Sequence, residues 1–229
     1  MRKYFLFGAF AAILAAAPIS DWFIGNTLAS GVWTSQASGG TIVQSNGGVT
    51  LSAPAGSTHD NFAGAVKISQ AVANSDFSII VKLSTIPTTQ AGTNYYEASL
   101  GAYQDTDNSV KLKYIWTASS YALTLRSTVS GSGADLQTSA RSGDTFPIWL
   151  ELSRTSNTWD ARYSFNSTSW TDMGTGTATI AVSSVSLWVD NWNVTAGSTL
   201  AFAETFSGFC NSTAANKCVP PVNVRPVLF

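Results

Sequence analysis

Residues 148–174 read Ile-Trp-Leu-Glu-Leu-Ser-Arg-Thr-Ser-Asn-Thr-Trp-Asp-Ala-Arg-Tyr-Ser-Phe-Asn-Ser-Thr-Ser-Trp-Thr-Asp-Met-Gly. Ile148, Leu150 and Leu152 alternate with Trp149, Glu151 and Ser153, the period-2 pattern of a strand whose one face is apolar. After Ser156-Asn157 the pattern resumes, with Trp159, Ala161 and Tyr163 on one side and Asp160, Arg162 and Ser164 on the other. A second turn at Asn166-Ser167 leads into a third strand. Three strands joined by two tight turns are therefore predicted.

Working outward, the same alternation recurs. Asp21-Trp22-Phe23 reads as the start of a strand whose loop Trp33 closes. Thr41–Gln44 and Val49–Ser52 read as a hairpin across Ser45-Asn46-Gly47-Gly48, where Asn-Gly supplies positive φ. Ala65–Val72 and Phe77–Leu83 follow, the latter ended by Pro87. Tyr95–Tyr103, Val110–Thr117 and Tyr121–Arg126 form a meander, Gly131-Ser132-Gly133 opens a loop, and Ser184–Asn193 and Leu200–Phe206 complete the set. Many short strands with no helical period after residue 20 predict an all-β sandwich of two antiparallel sheets.

Charged residues are 11% of the 229, and the net charge is −1. That balance offers no electrostatic footprint for nucleic acid or anionic lipid. Met1-Arg2-Lys3, the apolar run from Tyr4 and Ala15-Ala16-Ala17 read as a secretory signal or an uncleaved N-terminal anchor over residues 1–20. A buried N-terminal element of an assembled particle is the third reading. Cys210 and Cys218 are the only cysteines, and in an exported protein they read as a disulfide closing a small loop. One domain over residues 21–209 is expected. Residues 210–229 are then expected to form the disulfide loop and an extended tail with an apolar Val-Leu-Phe end suited to docking.

The 148–174 run resembles the W-L-x-x-x-R-x-G-x-x-W-x-x-x-Y-S-x-D-G-x-x-W-T pattern of concanavalin A-like (laminin G-like, DUF1349-like) domains. Trp22-Phe23 through Trp33 resembles the first strand and loop of that family. His59-Asp60 before Gln70, Asp76-Phe77 with Val81-Lys82, and Gln104-Asp105-Thr106-Asp107-Asn108 before Lys111 follow its further motifs in order. The resemblance covers most of residues 21–206 and implies a jelly-roll sandwich. It departs at Asn166-Ser167, where the family has Asp-Gly, which bears on turn type. It implies a scaffold used for sugar binding, as glycosidase appendages and in adhesive surface or phage proteins, and confers no activity.

Catalysis is not expected. A glycosidase needs two facing carboxylates, and the three glutamates, Glu97, Glu151 and Glu204, lie on separate predicted strands. His59, the only histidine, sits beside Asp60 with no G-x-S-x-G elbow to serve, and reads as a loop-pinning residue. Binding is the better expectation. With Tyr96, Ala98, Leu100 and Ala102 inward, Tyr95, Glu97, Ser99 and Tyr103 face outward. Lys111 and Lys113 then face outward on the next strand, as do Trp188, Asp190 and Trp192 on the strand beyond. The candidate glycan face is Trp188, Asp190, Trp192, Tyr95, Glu97, Tyr103 and Lys113. The competing reading is that these aromatics are covered by loops, by the tail or by a neighbouring subunit. Asp105, Asp107 and Asn108 are a candidate calcium cluster, or an Asx-capped turn. The expectation is a secreted, cell-surface or virion-surface module that binds a glycan or polysaccharide. Its alternative is a structural subunit of a surface filament or virion that packs against itself or other surface proteins.

Overall fold

The computed structural model describes residues 16–45, 47–56, 58, 61–85, 94–117, 120–193, 198–213 and 218. The strands, in chain order, are β1 (Thr34–Gln36), β2 (Thr41–Ser45), β3 (Gly48–Ala53), β4 (Val66–Ala71), β5 (Phe77–Leu83), β6 (Asn94–Asp105) and β7 (Asn108–Trp116). They continue with β8 (Tyr121–Val129), β9 (Ser132–Arg141), β10 (Ile148–Thr155), β11 (Thr158–Ser164), β12 (Thr171–Thr177), β13 (Ser184–Asn193) and β14 (Phe202–Asn211). One helical turn, α1 (Asn61–Gly64), precedes β4. Two seven-stranded sheets result, ordered β1-β4-β13-β6-β7-β8-β9 and β12-β11-β10-β5-β14-β3-β2. The protein is a β-sandwich of two antiparallel sheets, as the alternation predicts.

The apolar halves of the strands meet between the sheets. Tyr96, Ala98, Leu100 and Ala102 of β6 join Val185, Leu187 and Val189 of β13 in one continuous core with Ile148, Leu150, Leu152, Trp159 and Ala161 of the facing sheet. The opening segment folds as read: β10 pairs with β11 from Trp149↔Ser164 to Thr155↔Thr158, and β12 adds to β11. Its Trp159 and Arg154 side chains hold the scaffold. Trp159 donates its indole N–H to the Ala178 carbonyl at 3.0 Å and packs edge-on against Phe77. Arg154, buried on the same face, donates to Asn74 Oδ1 and to the Ser156 and Ile180 carbonyls. Asp76 accepts from the Ser156 N–H and so ties the β10–β11 turn to the start of β5.

Several expectations are corrected. Asp21-Trp22-Phe23 makes one isolated bridge, Asp21↔Phe209, and no strand, because Phe23 takes φ 51°. The segment after Gly131 is a hairpin return into β9, an exposed edge strand, and not a loop. At 166–167 the positive φ falls on Ser167, at 62°. Asn166 acts through its side chain, accepting from the N–H groups of Thr168 and Ser169. The expected disulfide between Cys210 and Cys218 is present. Asn46, His59, Asp60, Pro87, the apolar run before residue 16 and the tail from 219 lie outside the described residues.

The stretch expected to end at residue 20 reaches into the fold. The Ala16 carbonyl accepts from Ala73 N–H, and the Gln70 side-chain amide bonds both backbone groups of Ile19, at 2.9 and 2.8 Å. Asn211 Nδ2 donates to the Pro18 carbonyl. Residues 16–21 therefore stitch the end of β4 in one sheet to the end of β14 in the other.

Candidate functional site

The outward face of the β13–β6–β7 sheet carries the charged and aromatic residues that strand parity selects. Register sets the rows. Trp192 lies opposite Tyr95, Asp190 opposite Glu97 and Trp188 opposite Ser99. On the other side of β6, Glu97 faces Ile115, Ser99 faces Lys113 and Gly101 faces Lys111. All seven candidate glycan residues thus share one face, but they divide into three groups.

The first group is open. Trp192 is 36% exposed, and its ring lies 4.9 Å from that of half-buried Tyr95, at 53°. The pair stands where β13 ends and β6 begins.

The second is a charge cluster. Lys111 Nζ sits 2.8 Å from one Glu97 oxygen, Lys113 Nζ 2.6 Å from the other, and Lys111 also reaches Asp190 at 3.6 Å. Burial alone would raise the Glu97 pKa, but the two ammonium groups outweigh it and hold the carboxyl well below its usual range. Asp190 goes the other way: burial raises its pKa, Lys111 offsets part of this, and the Glu97 charge adds to the rise. Asp190 Oδ2 accepts the Trp188 indole N–H at 2.9 Å, while Oδ1 is buried with no hydrogen-bond partner. Lys67 on β4, opposite Trp188, has its pKa lowered to about 8 by burial, with Asp190 as the charge opposing the shift.

The third group is covered. Trp188 is fully buried and Tyr103 nearly so, beneath Phe62 of α1. Phe62 stacks on Tyr103 with centroids 3.3 Å apart and meets Trp188 edge-on at 6.4 Å. Gly101 makes the arrangement possible, since a Cβ there would stand 2.5 Å from the Trp188 ring. Trp188 and Tyr103 therefore offer no open stacking surface in this conformation, contrary to the sequence-based expectation. Lys113 likewise has its ammonium held on Glu97. Phe62, Lys67 and Lys111 complete the face and were not among the selected residues. Phe62 lies in a short turn with no strand periodicity to flag it.

The calcium cluster folds as a turn. Asp105 Oδ1 accepts from Asp107 N–H and Asn108 Nδ2, and Asn108 Oδ1 accepts from Ser130 N–H. Two of the oxygens a cation would use are already engaged in closing the β6–β7 corner. Among the described residues no group of three His, Cys, Asp or Glu is placed to hold a metal ion.

No protein-family profile matches the chain, and no curated protein matches it. Solved structures do. The GH43 protein BlXynB from Bacillus licheniformis is similar at a TM-score of 0.62 and 17% identity, over 83% of this chain and 38% of that one. The chain thus spans about two fifths of the length of that protein. The carbohydrate binding module CBM66 from Bacillus subtilis matches over 80% of this chain and 98% of its own, at TM-score 0.50 and 11% identity. The CBM2 module of the evolved Dit of Lactobacillus casei BL23 phage J-1 matches over 85% and 96%, at TM-score 0.52 and 12% identity. At such identities the likeness is one of fold.

Proposed function

We propose that this protein is a non-catalytic carbohydrate-binding module of the concanavalin A-like kind, working at a cell or virion surface. Its site is the open Tyr95–Trp192 pair. The observation that carries this reading is that the pair stays exposed on a face whose other large aromatics are packed away. An accessible indole beside a phenol offers the flat apolar surface on which a sugar ring stacks, with hydrogen-bonding tips at the edge. Lys111 and Lys113 are held on Glu97 and Lys67 on the Phe62 carbonyl, so the lysines of this face are engaged away from the open pair and the ligand chemistry that fits there is a neutral glycan. The likeness to modules named for carbohydrate binding agrees with this.

Glu97 and Asp190 do face each other, as the carboxylates of a glycosidase do. Both Glu97 oxygens are occupied by lysines, however, and Asp190 is only 4% exposed. A nucleophile so paired and an acid so enclosed support a binding role over a hydrolytic one.

Affinity electrophoresis through gels containing xylan, arabinan, mixed-linkage β-glucan or levan tests the proposal. At least one polysaccharide is expected to retard the protein, and Trp192→Ala to abolish the retardation while Trp192→Phe keeps part of it. Likeness to the phage Dit module favours a second reading, in which the sandwich is a subunit of a virion or filament. No retardation by any polysaccharide, together with multimers that shield Trp192 from acrylamide quenching, would replace the first reading by the second.

A further inference from the structure

The covered aromatic pair has the same make-up as the open one and lies on the same two strands. Tyr103 and Trp188 have ring centroids 5.2 Å apart at 66°. Trp188 precedes Trp192 by four residues on β13, which sets the two indoles on one face about 13 Å apart along the strand. Phe62 lies flat against Tyr103, in the position a sugar ring takes on an aromatic face. With Ala65, Tyr103 and Trp188 it forms an apolar cluster separate from the main core.

Polar groups with incomplete partnerships surround this cluster. Asp190 Oδ1 and Ser99 Oγ are buried with no hydrogen-bond partner. A buried acceptor left unpaired is destabilising, so the closed arrangement leaves these atoms unsatisfied. Lys67 donates to the Phe62 carbonyl and lies 3.2 Å from the centroid of its ring. Lys67 thus depends on the turn itself for a partner that a ligand oxygen would replace. Flat rings, an unpaired carboxylate oxygen and an ammonium donor together make the donor, acceptor and stacking set of a glycan subsite.

We propose that Phe62 stands in for a sugar ring, and that the Tyr103–Trp188 face is a second glycan subsite in line with the first. A chain long enough to span both fills it by displacing the 61–64 turn. Asp190 Oδ1 then accepts a sugar hydroxyl and Lys67 Nζ donates to a sugar oxygen. The inference rests on the glycan reading of the Tyr95–Trp192 pair. Short ligands use the open pair alone. Long ones bind with an affinity reduced by the fraction of molecules in which Phe62 is lifted.

The test is calorimetric titration of wild type and Phe62→Ser with the disaccharide and the hexasaccharide of whichever polysaccharide retards the protein, xylobiose and xylohexaose in the case of xylan. Phe62→Ser is expected to bind the hexasaccharide of the recognised series about tenfold tighter, with the disaccharide unchanged. Phe62→Leu, which refills the slot, is expected to behave as wild type. Gln36→Ala loosens the turn from outside, since Gln36 Nε2 donates to the Ala63 carbonyl. It is expected to act in the same direction with smaller size, and it replaces Phe62→Ser should that variant not fold. Equal hexasaccharide affinity in wild type and variants, or a gain that appears equally for the disaccharide, overturns the second subsite and leaves the open site standing. Binding of no oligosaccharide by any of the proteins overturns both.

Discussion

Replacing Glu97 by Gln keeps the shape of the side chain and removes the charge on which two lysines rest. The Glu97, Lys111 and Lys113 side chains are only 16%, 14% and 9% exposed, so water does little to compensate. Removing one partner of a fully buried pair costs about 3–5 kcal/mol, because a charge is left behind unpaired. Here Lys111 keeps Asp190 at 3.6 Å, which lowers the expected loss to about 2–3 kcal/mol. Lys113 has no other ion-pair partner among the described residues. Adding Lys113→Met to Glu97→Gln removes the stranded charge and is expected to recover about half of the loss. Guanidinium denaturation of the two single variants and the double variant at pH 7 measures this. The pH dependence has a definite sign. The Glu97 pKa is depressed in the folded protein, so its contribution is complete above its ordinary value of 4.5 and is lost as pH falls toward the folded value. The gap between wild type and Glu97→Gln must therefore narrow as the pH drops below 4.5. A gap under about 0.5 kcal/mol at pH 7, the range of a surface pair, would refute the reasoning. So would a gap that stays constant down to pH 3.

Glu204 titrates with the opposite sign. Burial raises its pKa to about 7, against the opposing N–H donors of Ser84, Thr85 and Thr205. An acid whose folded pKa is raised weakens the fold as pH rises from its ordinary 4.5 toward 7. Glu204→Gln is expected to flatten that slope and to match or exceed wild-type stability at pH 8, read by thermal melts across pH. Gly101→Ala drives a methyl group into Trp188 and is expected to cost about 1–3 kcal/mol and to red-shift tryptophan emission as the indole lifts. Unshifted emission at wild-type stability would contradict the packing described. Cys210→Ser with Cys218→Ser opens the loop between two positions eight residues apart in sequence and is expected to cost about 2–3 kcal/mol. A reducing agent should lower the melting temperature of wild type toward that of the double variant, and leave the variant unchanged.

What could be read from the chain follows from where side-chain alternation is enforced. β6, β10 and β13 bury one face in a common core, so a one-residue slip would invert every side chain, and parity assigned their faces correctly. β9 has no such constraint. Ser132-Gly133-Ala134-Asp135-Leu136 presents mostly exposed residues on an edge, and nothing in it signals a strand. The Asp21-Trp22-Phe23 segment misleads for a different reason. Its aromatics serve a loop core, with Trp33 Nε1 donating to Asp21 Oδ2 at 2.7 Å. The candidate face was legible as a face and not as a surface. Phe62 comes from far earlier in the chain to cover Trp188, and contact of that kind leaves no trace in local periodicity. The facing of Glu97 and Asp190 was hidden similarly, since it arises from the register between β6 and β13 and not from spacing along either strand.

Strand direction also sets the two ends of the sandwich apart. β13 runs from Ser184, paired with Ala71 and Tyr103, to Asn193, paired with Asn94. The N-terminal strap binds at the first end, on Gln70, Ala73 and Asn211. β14 runs toward that same end, so Cys210 and its disulfide to Cys218 lie there too. The open Tyr95–Trp192 pair stands at the other end, the length of β13 away, about 30 Å for ten residues. The first and last described segments therefore both lie at the end of the sandwich opposite the open pair, so a binding module of the kind proposed above would present that pair away from them.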